Sequence, residues 1–121
     1  MAGYSQQRLE EKIIKAISLM IVQKEIKNSK ISSLVSVSHV QLSSDNSYAT
    51  VYITGINDDE YLKNSIIGLN ESKSFIQSKL GSFLKTKNTP KLSFKKDESI
   101  EISEKMDKLF EEIKDERKNQ P

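Results

Sequence analysis

The chain has 121 residues, a formal charge of +2 and no cysteine. That length favours one domain around one core. The missing thiols exclude disulfides, thiolate metal sites and cysteine nucleophiles, and a single histidine, His39, leaves a histidine metal cluster or a Ser-His-Asp triad almost nothing to work with. Hydrophobic residues make up only 36%, so a large apolar cavity is not expected. No apolar run approaches the roughly 20 residues that span a bilayer. Met1-Ala2-Gly3-Tyr4 lacks the basic start and apolar stretch of a signal peptide. The expected address is the cytoplasm.

The first predicted element is a helix from Ser5, a candidate N-cap, to Ile26. Leu9, Ile13, Ile17, Met20 and Ile21 recur every three or four residues and share one face. Arg8, Lys12 and Lys15 line the opposite face, and Asn28-Ser29-Lys30 breaks the helix. A Val- and Ser-rich strand follows over Leu34–Leu42. Its apolar parity changes between Val37 and Val40, which predicts a bulge or a strand covered on both faces. Ser43–Ser47 is a turn cluster. Tyr48–Thr54 then alternates cleanly, Ala49, Val51 and Ile53 on one side and Tyr48, Thr50, Tyr52 and Thr54 on the other. The two strands should form an antiparallel hairpin.

A long helical region runs from Asp58 to about Lys85. Asp58, Asp59 and Glu60 suit its positive N-terminal end. Leu62, Ile66, Leu69, Ile76, Leu80 and Phe83 keep one helical phase, interrupted by Lys73 between two serines, so two helices should meet near 71–74. Gly81 weakens the second helix by about 1 kcal/mol relative to Ala. Lys87–Pro90 is a loop, Leu92 and Phe94 mark a third strand beginning at Pro90, and an acidic amphipathic helix is expected over Ser99–Arg117. The predicted domain is 1–98, with 99–121 as a C-terminal helix or extension. The order is helix, strand, strand, helix, helix, strand, an α+β architecture: a three-stranded sheet with helices on one face. It is the αββααβ order of a type II KH-like domain. The usual GXXG phosphate clamp of KH domains is absent, and Ser72-Lys73-Ser74 occupies the helix–helix junction.

Charge is distributed unevenly. Residues 1–71 carry a net −1, residues 72–96 carry seven lysines and no acid, and residues 97–121 carry a net −4. An acid-free stretch of seven lysines projects a positive potential toward a polyanion such as nucleic acid.

Two segments carry a more specific signal. One is Asp45 followed by Ala49-Thr50-Val51-Tyr52-Ile53-Thr54. The other, Pro90-Lys91-Leu92-Ser93-Phe94-Lys95-Lys96-Asp97-Glu98-Ser99-Ile100, matches a Pro-x-Leu-x-Phe-x-x-Asp-x-Ser pattern. With these and the helix opening at Arg8, the chain resembles the ribosome-binding factor A family from about Arg8 to Leu109. In that family an Ala-x-Gly kink replaces GXXG; here the position holds Ser72-Lys73-Ser74. Gln77 stands where an arginine is usual, Lys87 replaces another, and Asn28-Ser29 stands where Asp-Pro is common. A lysine supplies a point charge and not a bidentate fork.

The resemblance implies a non-enzymatic bacterial factor that binds the free 30S subunit and 16S ribosomal RNA. It also implies help with late maturation and precursor processing, notably in the cold. The implied partners are the small subunit's RNA and neighbouring ribosomal proteins, with a monomeric factor and no cofactor, metal or membrane. The RNA-binding candidates are Lys73, Lys79, Lys85, Lys87 and Lys91, with Arg8, Lys12 and Lys15 beside them; Ser72, Lys73 and Ser74 form the kink junction. Tyr48 and Tyr52 fall on the open side of the sheet, where they could stack on bases or pack across strands. His39 reads as an ordinary strand residue, and Asp97 and Ser99 as turn formers. No nucleophile–base pair or Walker-type phosphate loop is present. The alternative is a protein-interaction module that uses the acidic C-terminal helix and the open sheet face.

Overall fold

The computed structural model describes residues 6–55, 59–85 and 88–98. The candidate N-cap Ser5, Asp58, Lys87, Ser99 and the expected final helix lie outside these residues. The elements are α1 (Gln6–Val22), β1 (Ser36–Leu42), β2 (Tyr48–Thr54), α2 (Asp59–Glu71), α3 (Lys73–Leu84) and β3 (Lys91–Lys96). This is the αββααβ order expected of a type II KH-like domain.

β2 is the central strand. It pairs antiparallel with β1 and parallel with β3. Val40, Leu42, Ala49, Val51, Ile53, Leu92 and Phe94 point to one side of the sheet and are buried. The apolar stripe of α1 (Ile13, Ile17, Met20, Ile21), Leu62 and Leu69 of α2, and Ile76 and Leu80 of α3 close the core over them. Burial of this one side is the main driving force for the fold. The parity change in β1 is a bulge: the register shifts between Val37 and His39. Ser38 is the extra residue, and its hydroxyl donates to the Tyr52 carbonyl at 3.2 Å.

Three local expectations need correction. α1 ends at Val22, not Ile26. Lys24 adopts a left-handed conformation (φ 55°). Its N–H bonds the Ile21 carbonyl at 3.1 Å, and that of Glu25 bonds the Met20 carbonyl at 2.9 Å. Those bonds form a Schellman stop, made here without the glycine that usually marks one. The strand predicted from Leu34 begins at Ser36, and Leu34 is exposed. Phe83 is 45% exposed and does not join the core; Leu84 packs against the core instead.

The edges and loops are tied down by side chains. Asn70 of α2 donates to the Phe94 carbonyl at 3.1 Å and accepts from the Phe94 N–H at 3.0 Å. Gln77 accepts from the Leu92 N–H at 3.4 Å. The helices thus occupy backbone groups of β3 that would otherwise invite another strand. On the opposite edge Glu10 of α1 accepts the Leu42 N–H at 3.0 Å. The loop after α1 lies close over α2, and a Cβ at Gly68 would come within 2.9 Å of Ile31. The buried Ser65 accepts the Ser32 N–H at 2.9 Å and donates to the Lys30 carbonyl at 3.3 Å. Gly81 has a packing reason as well: a Cβ there would meet the Thr89 hydroxyl at 2.8 Å.

Candidate nucleic-acid interface

The α2–α3 junction forms where the sequence placed it. Ser72 leaves the helical conformation (φ −99°, ψ 13°), and its side chain makes no capping bond at the start of α3. Its own N–H still reaches the Gly68 and Leu69 carbonyls, each at 3.1 Å, so the chain passes from one helix to the next within a single residue. Lys73, half-buried, and Ser74, exposed, follow in the first turn of α3. A lysine at the positive end of a helix dipole suits an anionic ligand.

The stretch that is free of acid in sequence is not free of it in space. Glu71, directly before the junction, is held by Lys30 at 2.9 Å. Hydrogen bonds from Lys30 and then Asn28 lower the Glu71 pKa and keep the carboxylate ionised. Asn28 also donates to the Gly68 carbonyl at 3.3 Å, a bond an aspartate could not make. Further along α3, Lys79 pairs with Glu25 at 3.1 Å across 54 residues of sequence. Its ammonium also lies 5.6 Å from the centre of the Phe75 ring.

The candidate residues divide between two sides of the sheet. Lys73 and Lys79 belong to α3. Lys85 caps its end in a left-handed conformation (φ 55°), its N–H on the Gly81 carbonyl at 3.0 Å. Arg8, Lys12 and Lys15 belong to α1, which packs beside α3 in the same helix layer. Lys91 is not with them. It alternates with the buried Leu92 and Phe94, so it projects from the open side of the sheet. Its ammonium sits 5.9 Å from the centre of the Tyr48 ring.

Sequence reasoning passed over two residues of that open side. Lys95 shares the parity of Lys91 and pairs in register with Tyr52. His39 stacks on Tyr52 across the strands, ring centres 4.2 Å apart and 11° from parallel. Its Nδ1 is 3.7 Å from the Asp97 carboxylate. The alternation of β3 was the available signal for Lys95; the bulge at Ser38 is what turns His39 to the same side as Tyr52.

At the hairpin end, Asp45 accepts from the Ser43 hydroxyl at 2.8 Å and the Ser47 N–H at 3.1 Å. The Ser43 hydroxyl accepts the Tyr48 N–H at 3.0 Å. Hydrogen bonds from Ser47 and Ser43 bring the Asp45 pKa down to about 2. Asp45 therefore has a structural role in the turn, and Gln6 of α1 docks on the same turn through the Ser43 carbonyl at 2.7 Å.

Exposed Leu19, Phe75 and Phe83 add an apolar component to the helix layer. A cleft of about 190 Å³ lies among Leu19, Gln23, Glu25, Lys79 and Phe83. A larger cleft, about 470 Å³, opens between the end of α1 and the following loop, with Lys24, Lys27, Asn28 and Ser29 among its walls. Among the described residues no cluster of three or more His, Asp or Glu side chains could hold a metal ion.

Comparison with known proteins gives a consistent result. The family model for ribosome-binding factor A matches residues 5–110. The chain is similar to the ribosome-binding factor A of Finegoldia magna, 38% identical over 114 residues and 93% of each chain. The crystal structure of ribosome-binding factor A from Thermus thermophilus superposes with a TM-score of 0.65 at 20% identity, over 76% of this chain and 94% of that one. A homology model of the Thermus thermophilus factor, fitted into a cryo-EM map of its complex with 30S, gives a TM-score of 0.61 at 21% identity, over 75% and 93% of the two chains.

Proposed function

The chain belongs to the ribosome-binding factor A family, and on that premise we propose that it binds the free small ribosomal subunit and contacts 16S ribosomal RNA. In this reading it assists late maturation of the particle, including trimming of the RNA precursor, with the greatest demand in the cold. The observation that carries the reading is the family match along nearly the whole chain. The Thermus thermophilus factor was fitted into a complex with 30S, and the same class of partner suits the lysine-rich helix layer here.

The mechanism uses binding and no bond chemistry. Lys73 at the start of α3, with Lys79 and Lys85 further along and Arg8, Lys12 and Lys15 on α1, offers ammonium and guanidinium groups to phosphates. Lys87, outside the described residues, is proposed as a further phosphate contact. Each phosphate neutralised releases counterions, so affinity falls steeply with salt. With lysine dominant, the surface reads backbone shape and charge more than base identity. A factor that binds one RNA conformation better than its competitors shifts the population toward it without ATP. The exposed Leu19, Phe75 and Phe83 favour a ribosomal protein as an additional contact on the same layer.

Co-sedimentation with purified small subunits is the direct test. Wild-type protein should pellet with the subunit, and the triple variant Lys73→Glu, Lys79→Glu, Lys87→Glu should lose binding at least tenfold. Equal pelleting of both would contradict the helix-layer contact. For the maturation role, depletion in cells at low temperature should raise unprocessed 16S precursor and free subunits. Normal precursor levels would contradict that part alone.

A further inference from the structure

The open side of the sheet repeats a two-residue unit. Tyr48 of β2 stands in register with Lys91 of β3, and Tyr52 stands in register with Lys95. The two units are offset by four positions, about 13 Å along the strand. Both lysines are exposed, and Tyr48 is 59% exposed. Tyr52 is half-buried, and His39, stacked on it at 4.2 Å, covers one face of its ring and becomes the outer ring of that pair. Between the units lie Gln41, Thr50 and Ser93, which are polar and uncharged.

Carboxylates border this face only at its ends among the described residues. Asp45 is held in the hairpin turn by Ser43 and Ser47. Asp97, its side chain 8% exposed, lies beside His39, and Glu98 follows it beyond the end of β3. The middle of the face therefore combines aromatic rings with positive charge and presents little aliphatic surface. A protein partner would find few apolar anchors there, and a duplex keeps its base faces stacked inside, out of reach of the rings. A single-stranded polyanion with a flat base at each step matches both halves of the unit: the base stacks on the ring and the phosphate meets the ammonium.

We propose that the open face is a second nucleic-acid contact, a platform for a single-stranded RNA segment built from Tyr48–Lys91 and Tyr52–Lys95. The proposal rests on the ribosomal-RNA reading for the source of the strand. It assigns Lys91 and Lys95 to a site separate from the helix layer, so the protein can hold structured RNA on one side and an unpaired segment on the other.

The test uses the full chain and a ten-nucleotide uridine oligoribonucleotide at low salt, with an RNA hairpin stem as the duplex control. The chain has no tryptophan and four tyrosines, of which Tyr48 and Tyr52 lie on this face, so the share of the quenching that Tyr48→Leu removes reports stacking at that ring. Wild type should bind the oligonucleotide with quenching and bind the stem more weakly. Tyr48→Phe should bind within about twofold of wild type. Tyr48→Leu, which keeps apolar bulk at an exposed position, should lose about tenfold, the scale of one lost stack. Lys91→Ala with Lys95→Ala should flatten the salt slope by about 1.4, roughly 0.7 for each phosphate contact on a single strand. Absence of oligonucleotide binding, unchanged binding by Tyr48→Leu, or equal binding of the stem would each overturn the platform. Subunit co-sedimentation with the same proteins separates the two claims. Binding and quenching without any subunit association would leave the platform standing and remove the ribosomal reading. Subunit association with oligonucleotide binding indifferent to Tyr48 would remove the platform alone.

Discussion

The two faces of the sheet are made from the same strands and obey different rules. On the covered face Val51 and Ile53 are fully buried, and Phe94 is 2% exposed. One residue over in each strand, Tyr48, Lys91 and Lys95 stand on the open face and face solvent. A period of two separates stability from recognition. Residues on the first face answer to packing, and residues on the second are free to be chosen for a ligand.

Substitutions should expose that division. Phe94→Ala removes a ring buried among the helices and should cost about 3–5 kcal/mol, while Tyr52→Ala on the open face, losing its stack on His39, should cost about 1 kcal/mol. Urea unfolding followed by circular dichroism measures both. Comparable losses would show that the open face also contributes to the core. An intermediate effect is expected at the β3 edge. Asn70→Ala leaves the Phe94 N–H and C=O without their partner and should cost about 1–3 kcal/mol. Hydrogen exchange at the Phe94 amide should quicken before exchange in β2 does; uniform acceleration would mean that Asn70 supports the whole fold and not the edge.

The smallest effect is a pH dependence at the hairpin that joins β1 to β2. The folded pKa of Asp45 lies at about 2, below its ordinary 3.8. A lowered carboxylate contributes stability that is fully present above the ordinary pKa and is lost as pH falls through the folded value. The Ser47 and Tyr48 amide resonances should therefore titrate with a midpoint near pH 2 while core methyl signals hold. A midpoint near 4 would show that the Ser43–Asp45–Ser47 bonds do not persist in solution.

Much of this arrangement was legible in the sequence, for identifiable reasons. β2 was readable to its end residues because Tyr48–Thr54 alternates without a break. The junction at Ser72 was readable because a lysine on the core line cannot continue a buried stripe. The stop of α1 was not readable, since Lys24 does at φ 55° what glycine usually does. Phe83 misled because helical phase locates a face without saying where that face leaves its partner. The charge pattern was the hardest to judge. A linear count cannot see Glu25 reach Lys79 across 54 residues, and it merges Lys91 with lysines on the opposite side of the sheet. The alternation of Leu92 and Phe94 held the correction to the second error. The proposed contacts of Lys73, Lys79 and Lys85 rest on electrostatics, and Glu25 offsets part of the charge that Lys79 brings to the helix layer.

The affinity of the wild-type protein for free small subunits, followed from low to moderate salt beside the Lys73→Glu, Lys79→Glu variant, tests the account most directly. The prediction is a straight and steep fall of log affinity with log salt, with the variant weaker at every point and its slope shallower. A wild-type affinity that ignores salt, or a variant that superimposes on the wild type, would contradict electrostatic docking through the helix layer.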